Sequence, residues 1–166
     1  MTQIVAQPTL YGFAEMLPLG LGETIFDPDF KSGPITSFFR KLLIPMLSYL
    51  PELNTHRILI ASIYINRLAP HHLVVIGEGK DPIYHRFPVL VKNNQLPIGL
   101  RRLGVRRLYP NALHKEPEIA AHTVNSNQNF SGSETLAQQL ATLPTHHAIN
   151  EKLAETIATS INQWAA

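Results

Sequence analysis

The residues of this chain whose types could carry chemistry are histidines, arginines and lysines. Two adjacent histidine pairs, His71-His72 and His146-His147, come first, because imidazole nitrogens are common zinc ligands. Neighbouring residues on a strand point to opposite faces, and neither pair has a His-x-x-x-His or carboxylate partner at ligand spacing. We therefore predict exposed or loop histidines and no metal site.

The densest charge cluster is the basic run Arg101-Arg102-Leu103-Gly104-Val105-Arg106-Arg107. It could bind phosphate, either of RNA or of a nucleotide sugar. The same pattern is also typical of a solvated helix end followed by alternating exposed strand positions. Aromatic residues that would stack on bases do not interleave the run, so we expect no nucleic-acid partner.

One lysine follows glycines in a pattern that suggests a phosphate cradle, Gly77-Glu78-Gly79-Lys80. It leads into Asp81-Pro82 and not into a helix N-terminus, so we interpret Lys80 as a turn residue. The sequence contains no Gly-x-Ser-x-Gly elbow, which gives a hydrolase no support. It contains no cysteine, which excludes disulfides and a cysteine nucleophile.

Composition indicates a globular protein. The 166 residues are 45% hydrophobic and 16% charged, which is enough apolar material for one core and unlike a disordered chain. The formal net charge of +2 does not by itself indicate a polyanion partner. The N-terminus lacks the pattern of a signal peptide, and no apolar run is long enough to span a bilayer. We expect a cytoplasmic protein with no membrane partner.

The elements that must position these residues begin with an irregular stretch. Residues 1–34 are interrupted by Pro and Gly too often for a long regular element, and they carry scattered apolar anchors. We predict a docking arm there. Residues 35–166 would form the folded domain with its leading helices.

Two helices are predicted next. Apolar residues recur at three- and four-residue steps over residues 35–50, with Arg40 and Lys41 on the other face. Pro45 should kink this helix, and Pro51 suits the first position of a second helix that stops before Pro70. The apolar face is more typical of a core or interface helix than of a membrane-surface helix.

The remaining pattern predicts strands at residues 72–76, 83–91 and 105–109. A short helix capped by Asn94 would end at Gly104, and a further helical turn is expected at residues 116–122. Ser131 and Glu134 have capping-box spacing for a helix that Leu143-Pro144 would break, and Asn150 would cap the last helix. The order indicates an α+β fold, with a small, mostly antiparallel sheet covered by helices and preceded by a long kinked helical pair.

Several motifs then appear in a characteristic order. Leu53-Asn54-x-x-Arg57 lies in the long helix, Arg-Phe-Pro-Val-Leu-Val occupies residues 86–91, and Leu-Pro-Thr-His occupies residues 143–146. Between the last two lie Leu100-x-x-x-Gly104-Val105 and Tyr109-Pro110-x-x-Leu113-His114. Together they resemble the C-terminal small domain of the DegT family, fold-type-I aminotransferases that use pyridoxal phosphate and act mainly on nucleotide-linked keto sugars.

The resemblance implies a domain that closes over a cofactor cleft held by a large domain. The Schiff-base lysine, the aspartate for the pyridine nitrogen and the phosphate-binding loop belong to that large domain and have no counterpart here. Transamination needs such a lysine, so we expect no cofactor bound by this chain alone and no catalytic residue in it. The family pattern places Tyr109 and His114 on a loop at the substrate side, with Arg107 as an anion contact.

Two hypotheses follow. The chain could be an aminotransferase product, truncated or one half of a split enzyme, that needs a large-domain partner chain and binds a nucleotide sugar with it. Alternatively, it is a non-catalytic binding or assembly module, or a gene remnant, that retains the small-domain fold. In either case the face carrying Phe38, Phe39, Leu42 and Met46 should be exposed in the isolated chain and should drive self-association.

Overall fold

The computed structural model of the chain describes residues 33–74, 82–92, 95–107, 109, 111–120, 122–124 and 128–164. The predicted docking arm lies almost wholly outside this range, and so does the loop around Lys80. The prediction of a domain boundary at residue 34 is therefore untested.

The leading helices form as predicted. Helix α1 spans Ser37–Ser48 with Pro45 inside its last turn, and helix α2 spans Leu50–Arg67 with Pro51 in its first turn. The Thr36 side chain caps α1 by accepting the Phe39 N–H at 3.4 Å. Tyr49 separates the two helices, because proline on either side leaves too few backbone donors for one continuous helix. Leu68 is the C-cap of helix α2, two residues before Pro70.

The sheet is built from the two motif segments. Strand β1, Arg86–Leu90, pairs antiparallel with strand β2, Leu140–Pro144, in the register that places Arg86 opposite Pro144. The Val91 N–H donates to the Gln139 carbonyl at 2.9 Å. Every second residue of β1, counted back from Val91, therefore directs its N–H toward β2. The residues between them, including Pro88, direct their backbone nitrogens away from β2. Pro88, which has no N–H, therefore costs the sheet no hydrogen bond between β1 and β2.

Two predicted strands appear as single bridges within the described residues of their segments. Leu73 bridges to Val89 after a 3₁₀ turn at Pro70–His72, in place of a strand at residues 72–76. Arg106 bridges to Thr142 on the far side of β2, in place of a strand at residues 105–109. Residues 75, 76 and 108 lie outside the described part of the chain, so both predicted strands are tested only in part.

The segment before the Leu-Pro-Thr-His motif was predicted wrongly. Helix α5, Ser131–Gln139, does not run on to Pro144 but gives way to β2 at Leu140. A short apolar run does not distinguish helix from strand by period, and here β1 and Arg106 supply backbone partners on both sides. The capping box is also absent, because Phe130 and not Ser131 occupies the N-cap position.

The shorter helices form near the predicted positions, but the predicted cap of the first is wrong, because Pro97 and not Asn94 occupies its N-cap position. Helix α3 spans Ile98–Arg102, and Gly104 follows it with φ of 85°. The Val105 N–H donates to the Leu100 carbonyl and the Gly104 N–H to the Arg101 carbonyl, which is the Schellman pattern. Helix α4 spans Pro117–Ala120, preceded by a 3₁₀ turn at Leu113–Lys115.

The last helix closes the core. Helix α6, Glu151–Trp164, is capped by the Asn150 side chain, which accepts the Leu153 N–H at 2.9 Å as predicted. It packs on α2, and the sheet lies against the same apolar layer. The fully buried residues of this core lie in α2, both strands and α6, and at two positions between elements: Ile60, Tyr64, Val89, Val105, Ala141, Leu143, Ile149, Ala154, Ile157, Ala158 and Ile161. The predicted α+β class is confirmed.

The structure offers no candidate for a membrane crossing among its described helices, since none combines sufficient length with sufficient apolarity.

Candidate functional site

Helix α5 gathers two of the three residues that the family pattern marks. The Arg107 guanidinium donates from Nη2 to the Ala137 carbonyl at 3.4 Å, and His114 Nε2 lies 3.2 Å from Glu134 Oε1. Partial burial lowers the pKa of Arg107 from its ordinary value. Tyr109 lies between them in sequence with 52% of its surface exposed. The loop from Arg107 to His114 is therefore tied to α5 near both ends.

Glu134 lies at the centre of the contacts between α5 and this loop. We call this surface the α5 wall; it comprises Arg107, Tyr109, His114, Phe130 and Glu134. The Glu134 Oε1 contacts His114, and its Oε2 lies 2.9 Å from the Lys115 ammonium. The hydrogen bond from Lys115, and then the one from His114, hold the pKa of the Glu134 carboxyl below its usual value. The ring of Phe130, one turn earlier, lies 4.8 Å from the His114 ring centroid. A carboxylate and an aromatic ring on one helix thus fix the position of the imidazole.

Sequence reasoning named His114 but missed the residues that hold it. Glu134 carried a signal, since it was singled out as a capping-box acid, but its side chain reaches the 3₁₀ turn at Leu113–Lys115 instead. No periodic or local pattern links positions twenty residues apart, so the pair was visible only in the fold.

The two sequence motifs that pair as strands play a structural part. Arg86 Nε donates to Thr142 Oγ1 at 2.8 Å, and its Nη2 donates to the carbonyls of Gly104 at 2.6 Å and Thr142 at 3.0 Å. The hydroxyl of Tyr64 donates to the Pro144 carbonyl at 2.8 Å, and Thr145 Oγ1 lies within 2.8 Å of the Tyr84 carbonyl. These hydrogen bonds hold β1, β2 and α2 together.

The histidine pairs are separate from this wall. His72 is buried, with Nδ1 2.9 Å from the Leu90 carbonyl, and His71 lies at its side. His146 and His147 follow β2, where the His146 carbonyl lies 3.3 Å from His56 Nε2. Within the described part of the chain, no three His, Asp or Glu side chains converge as a metal site would require.

The described residues do not fit pyridoxal phosphate by themselves. A cofactor lysine must be sheltered from water so that its amine has a lowered pKa. The four lysines that the structure describes, Lys41, Lys92, Lys115 and Lys152, are all exposed, and Lys115 is paired with Glu134.

A broad apolar surface lies on α1. No residue of this helix is buried, and the exposed fraction reaches 65% for Phe38, 60% for Phe39 and 66% for Met46. We call this surface the α1 face; it comprises Phe38, Phe39, Leu42, Leu43 and Met46. Contiguous exposed apolar surface of this kind marks an interaction site in soluble proteins.

The comparisons with known proteins agree with this architecture. The model of the DegT/DnrJ/EryC1/StrS aminotransferase family matches residues 38–162, and the chain belongs to that family. The fold is similar to that of S. venezuelae DesV, solved by crystallography in complex with a ketimine intermediate, with a TM-score of 0.67 and 21% sequence identity. The alignment covers 94% of this chain but 44% of the DesV chain. No curated protein matches the sequence.

Proposed function

We propose that this chain supplies the C-terminal part of a pyridoxal-phosphate-dependent aminotransferase of the nucleotide-sugar type. The cofactor lysine would come from a large domain, carried by the same polypeptide or by a separate chain. The observation that carries the proposal is the family match over residues 38–162 in a chain whose described lysines are all exposed. Without such a partner we expect no transamination.

The α1 face supports the existence of a partner surface. The chain spans 44% of the DesV chain, so more than half of a similar enzyme has no counterpart in these residues. The α1 face lies at the start of the matched region and buries none of its side chains. A large domain seated on it would remove this apolar surface from water, which is the main favourable term in association. In the isolated chain, self-association through the α1 face would bury this apolar surface instead.

The wall along α5 supports a substrate-side role for Arg107, Tyr109 and His114. Arg107 would contact an anionic group of the nucleotide sugar, and the exposed Tyr109 and the partly exposed His114 would contact its polar groups. Glu134 would keep His114 in place. The absence of cysteine is compatible with a reducing compartment, and we propose a cytoplasmic location.

The test is reconstitution. The 166-residue chain is mixed with the lysine-bearing large domain of a DegT-family aminotransferase from which its own C-terminal part has been removed. Transamination of a nucleotide-linked keto sugar is then measured. We expect activity that depends on the added chain and saturates with it. His114→Gln should raise KM with little effect on binding to the large domain.

Two controls make the outcome decisive. The variant Phe39→Ser/Leu42→Ser weakens the α1 face and should raise the concentration of chain needed for half-maximal activity, whereas Lys41→Ser on the same helix should not. Complex formation without any activity would contradict the catalytic proposal and favour a non-catalytic assembly module.

A further inference from the structure

The carboxylate of Glu134 holds one edge of the His114 ring. Glu134 Oε1 lies 3.2 Å from His114 Nε2, and Glu134 Oε2 lies 2.9 Å from the Lys115 ammonium. A carboxylate is ionised at neutral pH, so it accepts hydrogen bonds and donates none. The bond to His114 therefore requires the proton of the neutral imidazole to be on Nε2. In that tautomer the other ring nitrogen, Nδ1, carries a lone pair and is an acceptor.

His114 Nδ1 is open to solvent. It forms no hydrogen bond with any residue that the structure describes. Among those residues, the buried side-chain nitrogen or oxygen that lacks a partner is His72 Nε2. Because His114 Nδ1 also lacks a partner and is not buried in this way, it is accessible. The ring of Phe130 packs against the imidazole at a centroid distance of 4.8 Å. One edge of the ring is thus held, and the acceptor edge is left for a ligand.

We infer that His114 Nδ1 accepts a hydrogen bond from a hydroxyl group of the hexose in a nucleotide sugar. A phosphate group does not suit this atom, because phosphate oxygens are themselves acceptors. Glu134 is a positioning residue, since it selects the tautomer, and Lys115 holds its second oxygen. The identity of the ligand rests on the proposed function, whereas the tautomer follows from the contacts of Glu134 alone.

The tautomer is measured on the 166-residue chain by itself. Nitrogen-15 NMR of the labelled imidazoles at about pH 8.5, above the usual range of histidine titration, distinguishes a protonated ring nitrogen from a bare one. We expect the His114 proton on Nε2. In Glu134→Gln the Lys115 ammonium, which only donates, keeps the single amide oxygen, and the amide NH2 group faces His114. The proton should then move to Nδ1. Glu116→Gln is the matched control, two residues from His114, and should leave the proton on Nε2.

Recognition of the sugar is tested with uridine diphosphate glucose, and uridine diphosphate serves as the control that lacks the hexose. The Nδ1 signal of His114 is followed as each probe is added to the chain alone and to the chain mixed with the large domain used for reconstitution. We expect a saturable shift with the sugar probe and none with uridine diphosphate. Glu134→Gln should weaken binding of the sugar probe roughly three- to tenfold, the loss of one neutral hydrogen bond. Its affinity for uridine diphosphate should not change, and Glu116→Gln should bind both probes like the natural chain.

Three results overturn the inference. The first is a His114 proton on Nδ1, or on both nitrogens, in the natural chain. The second is a Glu134→Gln variant that keeps the proton on Nε2. The third is an Nδ1 signal that responds equally to the two probes or to neither. A reconstituted mixture without transamination would instead count against the proposed function, because neither the tautomer nor the probe titration depends on turnover.

Discussion

Gly104 shows how a single residue can be fixed by backbone geometry. Its φ of 85° lies in the left-handed region, and a Cβ there would meet Pro144 Cγ at 3.1 Å. Its carbonyl also accepts the Arg86 guanidinium. Gly104 follows the end of α3 and lets the backbone approach Pro144 of β2 closely. The hydrogen bond that its carbonyl accepts from Arg86 connects this turn to β1.

Gly104→Ala should therefore destabilise the fold by about 1–3 kcal/mol through backbone strain and crowding against Pro144. Gly99→Ala is the matched control, since Gly99 is helical and a Cβ there meets nothing within 4 Å. That substitution should stabilise the protein by roughly 0.5–1 kcal/mol. Urea unfolding of the two variants measures the difference; equal midpoints would contradict the assigned role.

Tyr64 joins α2 to β2 through one buried hydroxyl. Burial raises the pKa of Tyr64, since the phenolate would be desolvated, and the hydroxyl donates to the Pro144 carbonyl at 2.8 Å. Tyr64→Phe leaves that carbonyl without its donor and should cost about 1–3 kcal/mol. Tyr109→Phe removes an exposed hydroxyl and should leave the unfolding free energy nearly unchanged. Denaturant titration of both variants checks the contrast.

At the scale of elements, the helices with strong signals were predictable and the sheet was only partly so. Apolar periodicity located α1, prolines bounded α2, Gly104 marked the end of α3 and Asn150 the start of α6, because each signal lies within its helix or a few residues from its end. Strand β2 was missed because its formation depends on β1, more than fifty residues earlier. Sequence periodicity contains no information on such a distant pairing partner.

The same distance limit applies to the candidate site. The family pattern supplied Arg107, Tyr109 and His114, but the interaction of His114 with Glu134 required the fold. The contact between His56 and the His146 carbonyl was likewise invisible, because the two residues are 90 positions apart along the chain. Each is unremarkable in its local sequence.

The turn after β2 should make the fold sensitive to acid. The folded-state pKa of His146 is lowered from its usual 6.5, so below that value the unfolded chain binds more protons than the folded one. The stability that the neutral His146 side chain contributes is therefore fully present above its usual pKa of 6.5. It is lost as the pH falls from 6.5 to the lowered pKa of the folded state. His146→Gln should flatten this part of the profile. Urea midpoints measured in phosphate-free buffer from about pH 8 to about pH 5 test the sign.

If the natural chain and His146→Gln lose stability in parallel over that range, another group controls acid sensitivity.

At the scale of the molecule, the α1 face should govern association. The isolated chain exposes several large apolar side chains on one helix, and burying them between two copies is favourable at roughly 25 cal/mol per Å² of apolar surface. Light scattering should show mass rising with concentration. Phe39→Ser/Leu42→Ser should lower this association, and Lys41→Ser should not. A concentration-independent monomer would argue against a partner surface on α1.

We propose that this chain contributes the small-domain part of an aminotransferase and that its cofactor lysine lies elsewhere. The most direct measurement is intact mass after incubation with pyridoxal phosphate and reduction with borohydride, with and without a competing amine. The chain alone should give no specific adduct, and a mixture with the large domain should place a single adduct on the large domain. A single adduct mapped to one lysine of this chain, and lost with the competing amine, would contradict the account.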